Sequence, residues 1–274
     1  MNNENIKENV KKAYGKIAST NSSCGCQSFS CCGSNASVEI SQKIGYSTDE
    51  MESVPKEANL GLGCGNPTAL ANIKKGDVIL DLGSGAGFDC FLAANKTGKS
   101  GKVIGVDMTP QMIAKARANA TNSGYDNVEF RLGEIENLPV KEDEIDIIIS
   151  NCVINLSPEK EKVFKEAYRV LKDNGKMMIS DIVLLKEIPS YIKDIPEAYS
   201  ACISGAIMKN DYIKYIENAG FKEINIISES QFTIDMFVND PIAESVRNNT
   251  NIPADELADW VNTGIVSLKI EAKK

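Results

Sequence analysis

Between residues 77 and 185 short apolar runs alternate with amphipathic stretches, and this rhythm leaves few folds open. "DVILDLG" (77–83), "KVIGVDM" (102–108), "VEFRLGE", "EIDIIISN" and "KMMISDIV" have the length and flanks of strands. "DCFLAANKTG", "TPQMIAKARANATNSG" and "PEKEKVFKEAYRVLKDNG" are helical, the second starting with Thr109 as N-cap and Pro110 behind it, the third ending in glycine. Strands and helices in this alternation form a parallel sheet covered on both faces. The fourth run is almost continuous isoleucine, as burial on both faces requires. The fold class is α/β, with a mostly parallel Rossmann-like sheet of about seven strands.

The flanks are less regular. Ile6, Val10, Tyr14 and Ile17 share one face of a first helix. "TNSSCGCQSFSCCGSNAS" follows as a small, polar, cysteine-rich arm. "VEISQKIGYSTDEMESVP" is helical until Pro55 breaks it. After 185 helices and loops return, with Trp260 a packing anchor, and "FKEINIISESQF" and "GIVSLKIEAKK" are two last strands. These either complete the sheet as an antiparallel pair or form a separate small module. The chain divides into 1–58 (helices and cysteine-rich arm), 59–185 (the alternating domain), 186–228 and 229–274.

Composition excludes several roles. The 274 residues carry 30 basic and 38 acidic side chains, a net charge of −8, so no basic surface waits for nucleic acid. No apolar run reaches the roughly 18–20 residues of a membrane span, and the polar N-terminus lacks a signal core. A cytoplasmic monomer is expected. Histidine is absent, which removes the usual general base and the commonest metal ligand. Eight cysteines are present. In a reducing compartment they should be thiols serving metal binding or redox chemistry rather than a disulfide framework.

"LDLGSGAGFD" (80–89) joins a strand to a helix through Gly83, Ser84, Gly85 and Gly87. Its spacing departs from the dinucleotide pattern G-x-G-x-x-G. Asp81 precedes the loop, where it would repel a pyrophosphate and accept from an ammonium group. The next strand ends in Asp107 and Met108, with the carboxylate set to take ribose hydroxyls. Glu134, beside Ile135, offers an acceptor for an exocyclic amine, and Asn151 ends the fourth strand. Three acidic acceptors around a glycine turn suit S-adenosylmethionine, which has an amino acid, a ribose and an adenine but no phosphate. A nicotinamide cofactor fits less well.

These blocks, "LDLGSGAG", "GVDM", "GEIENLP", "SNCVINL" and "LKDNGKMMISD", resemble the class I S-adenosylmethionine-dependent methyltransferases over roughly 65–185. In that fold Cys152 would sit at a strand end facing cofactor and substrate. Cys64 lies in the glycine-flanked "GLGCGNP" and Cys202 in "YSACISGA", neither a routine core sequence. Cys90, inside an apolar helix, is expected to be a small buried hydrophobe. Thiolates select thiophilic ions such as trivalent arsenic, whose lone pair attacks a methyl group without a general base.

"ANLGLGCGNPTAL", "LDLGSGAGFDC", "GVDMTPQM", "ISNCVINLSP" and "YSACISGA" closely resemble microbial arsenite methyltransferases over about 10–220. The resemblance implies methyl transfer from S-adenosylmethionine to thiol-bound arsenic. It implies that Cys152 and Cys202 hold arsenic, and makes 186–228 an arsenic-binding segment. It further implies that Cys64 joins in binding, and in disulfide formation with a cysteine of the arm, after which thioredoxin or glutathione resets the protein. Among Cys24, Cys26, Cys31 and Cys32, Cys32 and Cys31 lie nearest the fold, and Cys32 is the preferred arm candidate. The bland reading of the arm is an oxidisable tail; another is a separate thiolate site for zinc or a second arsenic, its spacing being unlike usual zinc patterns. The alternatives are a small-molecule C- or O-methyltransferase that uses the cysteines for packing, and a metalloid-sequestering protein without catalysis.

Overall fold

The structure is a computed structural model that describes residues 2–19, 36–189, 203–231 and 254–274. Seven strands form one sheet in the order β3-β2-β1-β4-β5-β7-β6. They are β1 (Val78–Leu82), β2 (Lys102–Asp107), β3 (Val128–Leu132), β4 (Ile145–Asn151), β5 (Leu171–Leu184), β6 (Lys222–Gln231) and β7 (Ile265–Lys273). The first five run parallel, with β1 between β2 and β4. The two last strands complete the sheet: β7 pairs antiparallel with both β5 and β6. Of the two arrangements left open by their sequence, the sheet is the one adopted.

The helices are α1 (Asn3–Ser19), α2 (Ala36–Lys43), α3 (Thr48–Glu52), α4 (Pro67–Leu70), α5 (Phe88–Thr97), α6 (Pro110–Ser123), α7 (Lys160–Val170), α8 (Lys209–Asn218) and α9 (Ala254–Gly264). Side chains of α7 and α8, including Phe164 and Tyr212, pack with Leu80 and Ile148 on one face of the sheet. Phe91 of α5 and Ile113 of α6 pack with Ile79 and Ile149 on the other. The isoleucine run of β4 is divided between the two clusters, and burying each such side chain contributes about 1.5–3 kcal/mol.

Two boundaries differ from expectation. The helix before β5 stops at Val170, and "LKDNG" belongs to the strand, with Asn174 at φ +62°. The helical stretch after residue 36 is broken at Gly45, where Ser47 and Glu50 form a capping box that starts α3 anew. In the charged first turn of α7 Lys160 is buried, donating to the carbonyls of Asn155 and Ser157. Trp260 is the expected anchor, packed near Cys64 and Ile265 with its indole donating to Glu187 O. No helix among the described residues is long and apolar enough to cross a membrane.

Candidate active site

The carboxyl ends of β1, β2 and β4 open into a cavity of about 1080 Å³, counting the part continuous with solvent. This is where strand order reverses about β1, the usual ligand crevice of an open α/β sheet. Gly83, Ser84 and Gly85 form one wall, Met108 and Ile135 another, and Tyr14 of α1 also reaches it. Gly83 has φ +69°, and a Cβ there would stand 2.3 Å from Val153 Cγ2. Only glycine lets the loop lie against the residue that follows Cys152.

Three buried carboxylates line the cavity: Asp81, Asp89 and Asp107. Both Asp107 oxygens accept backbone N–H groups, from Thr109 at 2.8 Å and Gly85 at 3.0 Å, which fixes the group while leaving lone pairs outward. Burial still holds its carboxyl above the ordinary range. Burial, then the Asp89 charge, push Asp81 well above it. Burial raises Asp89 to about 6 against the bonds it accepts from Tyr46 and Asn151. None of the three has an ion-pair partner among the described residues. Ser84 Oγ is buried on the same wall without a hydrogen-bond partner. An unfilled hydroxyl and three uncompensated carboxylates fit a cationic, phosphate-free ligand such as S-adenosylmethionine.

Across the cavity, Cys152 follows β4 in the left-handed conformation, φ +55°, which costs a non-glycine residue about 1–3 kcal/mol. Its N–H donates to Ser180 O at 2.8 Å. Cys152 is half-buried, lines the cavity, and is joined by a disulfide to buried Cys64, with Cα atoms 5.8 Å apart. Thiols were expected at both positions, and Cys64 was expected to pair with the arm. The pairing is explained by the loop 59–66, which delivers Cys64 onto the ends of β4 and β5. The Cys64 N–H donates to Asn151 Oδ1, and Cys64 O accepts from Ser267 Oγ. A carboxylate oxygen of Asp181 and the two sulfurs lie within 4.8 Å of one another. Asp181 is buried, accepts from Asn155, Tyr212 and the Ile182 N–H, and is raised by burial to about 7.

Most of the residues singled out in the sequence meet here. Asp81, Gly83, Ser84, Gly85, Asp107, Met108, Ile135, Asn151 and Cys152 line one cavity. Gly87 instead caps α5 at φ +97°. Glu134 does not line the cavity; Lys7 at 2.8 Å and Lys11 at 3.2 Å hold its carboxyl below the usual range, and Ile135 and Glu136 face inward in its place. Cys90 is more than a buried hydrophobe, because its thiol donates to Asp81 Oδ2 at 3.2 Å. Cys202 and the arm cysteines, Cys32 included, lie outside the described residues. Asp89, Tyr46 and Asp181 were not foreseen. Two of them carried a signal: a lone acid in the first turn of an apolar helix, and one inside the apolar run "MMISDIVL".

Residues 73–220 match the family described as "Methyltransferase domain". The chain is 43% identical over 279 aligned residues to an arsenite methyltransferase of Halobacterium salinarum, covering 99% of this chain and 67% of the relative. It is 33% identical to an arsenite methyltransferase of Aquipseudomonas alcaligenes, covering 83% of this chain and 65% of the relative. A crystal structure of an arsenic(III) S-adenosylmethionine methyltransferase from Chlamydomonas reinhardtii superposes with a TM-score of 0.63 at 31% identity, covering 86% of this chain and 72% of that one. The chain thus spans about two thirds of the length of these curated relatives.

Proposed function

Because the chain belongs to the arsenite methyltransferases, we propose that it transfers methyl groups from S-adenosylmethionine to trivalent arsenic held by cysteine sulfur. One observation carries the reading: the glycine loop with its carboxylates and Cys152 line the same cavity. S-adenosylmethionine supplies, when bound, an electrophilic methyl group on a sulfonium. Asp81 and Asp89 are the acceptors for its cationic part, Asp107 for its ribose hydroxyls, and Ile135 and Met108 the apolar contacts for its base.

A thiol reductant, one thioredoxin dithiol or two glutathione molecules, opens the Cys64–Cys152 disulfide, two reductant thiols becoming a disulfide as the protein gains two. Each protein thiol then displaces one hydroxyl of arsenite; its proton leaves with that hydroxyl as water, and an As–S bond forms. Cys202 is the further sulfur ligand, and Cys32 the arm cysteine that exchanges with Cys64. Sulfur-bound trivalent arsenic keeps its lone pair, so its attack on the methyl carbon would need no proton removed. That suits a site with no histidine. The carbon–sulfonium bond would break, S-adenosylhomocysteine would leave, and two cysteine thiolates closing to a disulfide would return the pentavalent arsenic to the trivalent level. The chain's contribution is position: Cys152 is locked by its backbone beside the glycine loop that seats the cofactor.

The test mixes reduced protein with arsenite, S-adenosylmethionine and thioredoxin or glutathione, then separates arsenic species by chromatography with element-specific detection. Methylated arsenic is expected from the wild type and none from Cys152→Ser, with cofactor binding retained. A wild type that binds the cofactor and leaves arsenite unmethylated overturns the reading.

A further inference from the structure

Asn151 links the two halves of the cavity. Its Oδ1 accepts the Cys64 N–H at 3.0 Å. Its Nδ2 lies 2.7 Å from Gly65 O, 3.0 Å from Tyr46 Oη and 3.2 Å from Asp89 Oδ2. Two amide hydrogens therefore serve three acceptors. Tyr46 in turn donates to the other Asp89 oxygen at 2.7 Å, and its ring packs edge-on against Phe88. The contact with the loop is close: a Cβ on Gly63, which has φ +114°, would lie 2.7 Å from Asn151 Nδ2. One amide thus clasps the loop that carries Cys64, sits next to Cys152, and ends on a carboxylate that lines the cofactor side of the cavity.

We propose that Asn151 is a positioning residue that couples the two sites, so that a cation seated against Asp89 draws the Asn151 amide into place and holds Cys64 opposite Cys152. The amide has only two hydrogens, and its loop contacts compete with Asp89 and Tyr46 for them. A cationic ligand beside Asp89 removes conformers in which these bonds are exchanged. A clasped loop presents both thiols of the reduced protein to one arsenic atom at a lower ordering cost. Coupling is reciprocal, so arsenite binding tightens the cofactor by the same factor.

This rests on the function proposed above, and the experiment separates the two. Arsenite affinity of the fully reduced protein is measured by equilibrium dialysis with and without saturating sinefungin, a cationic analogue that transfers no methyl group. The wild type is expected to bind arsenite at least about fivefold more tightly with sinefungin. Asn151→Ala should weaken arsenite binding at least about tenfold and bring that ratio to one. Tyr46→Phe keeps the ring packing, removes a phenol that does not line the cavity, and should at least halve the ratio. A merely structural Asn151 would weaken arsenite binding equally with and without sinefungin. A wild type that binds no arsenite overturns both the function and this inference. A wild type whose arsenite affinity ignores sinefungin overturns the inference alone, as does a wild-type ratio in Asn151→Ala. Should Asn151→Ala not fold, an unchanged ratio in Tyr46→Phe overturns it instead.

Discussion

At the carboxylate end of the cavity the functional groups come from residues 81–109, two neighbouring strands and the loop between them. At the sulfur end Cys152 lines the cavity, and behind it lie Cys64 from a loop, Ser180 and Asp181 of β5 and Ser267 of β7. The first end is held mainly by backbone bonds between the two neighbouring strand ends, such as Gly83 N–H to Val106 O at 2.8 Å and the two N–H groups on Asp107, with Asp89 reaching out to Tyr46 and Asn151. The second adds partners as far as 88 and 203 positions away, Cys64 to Cys152 and Cys64 to Ser267. On the proposed reading, the cofactor side lies mostly within one stretch of the chain, whereas the sulfur side needs most of the sheet assembled first.

The sharpest way to separate the two ends is Cys152→Ser. Methylation should fall at least about a hundredfold while calorimetry shows unchanged S-adenosylmethionine affinity, so a parallel loss of both would mean the ends are one unit. The mirror experiment is Asp107→Ala. Losing charge-assisted hydrogen bonds worth about 1.5–3 kcal/mol should weaken cofactor binding by a factor of about 10 or more, while arsenite binding without cofactor persists. Gly83→Ala attacks the place where the ends touch. It forces a side chain into a left-handed residue and against Val153, so about 2–4 kcal/mol of stability should be lost in thermal or denaturant unfolding. A neutral substitution would show that the loop moves freely off Cys152.

A pH titration of cofactor affinity probes the carboxylate end. Asp89 is held at about 6 by burial, and Tyr46, Asn151, Asp81, Glu50 and Lys96 all act on it. A cationic ligand prefers the ionised acid, so cofactor affinity should rise several-fold as pH increases through about 6 and level off above it. Asp89→Asn should remove that rise, and an unchanged pH profile in the variant would assign it to another group. The smallest effect is expected at the rim. Lys7 lines the cavity but is paired with Glu134 and Glu136, so Lys7→Ala should change cofactor affinity by no more than a few-fold, with a difference that fades in high salt.

How far each end could be read in advance follows the same division. Asp81, Asp107 and the glycine loop were legible because short apolar strands alternating with helices, one closed by a glycine turn, fix where strand-end residues fall relative to one cavity. Cys152 was legible as a strand-end residue, but its bond to Cys64 was not, since pairing across 88 residues depends on where a loop lands. Glu134 was read as an acceptor for an exocyclic amine, and sequence gives the position of that carboxylate but not the lysines that α1 brings to it. Cys90 looked apolar in its helix, and only the fold set its thiol beside Asp81.

By itself the sequence determined the alternating α/β core, the turn that exposes backbone to a ligand, the absence of any imidazole and the resemblance to arsenite methyltransferases. These are properties of nearest-neighbour spacing and composition, which survive without knowledge of distant contacts. Tertiary structure alone decided that the last two strands close the sheet, that Cys64 meets Cys152, and that one asparagine joins the Cys64 backbone to a carboxylate. Each depends on segments far apart in the chain, and their approach is set by packing on both faces of the sheet rather than by any local preference.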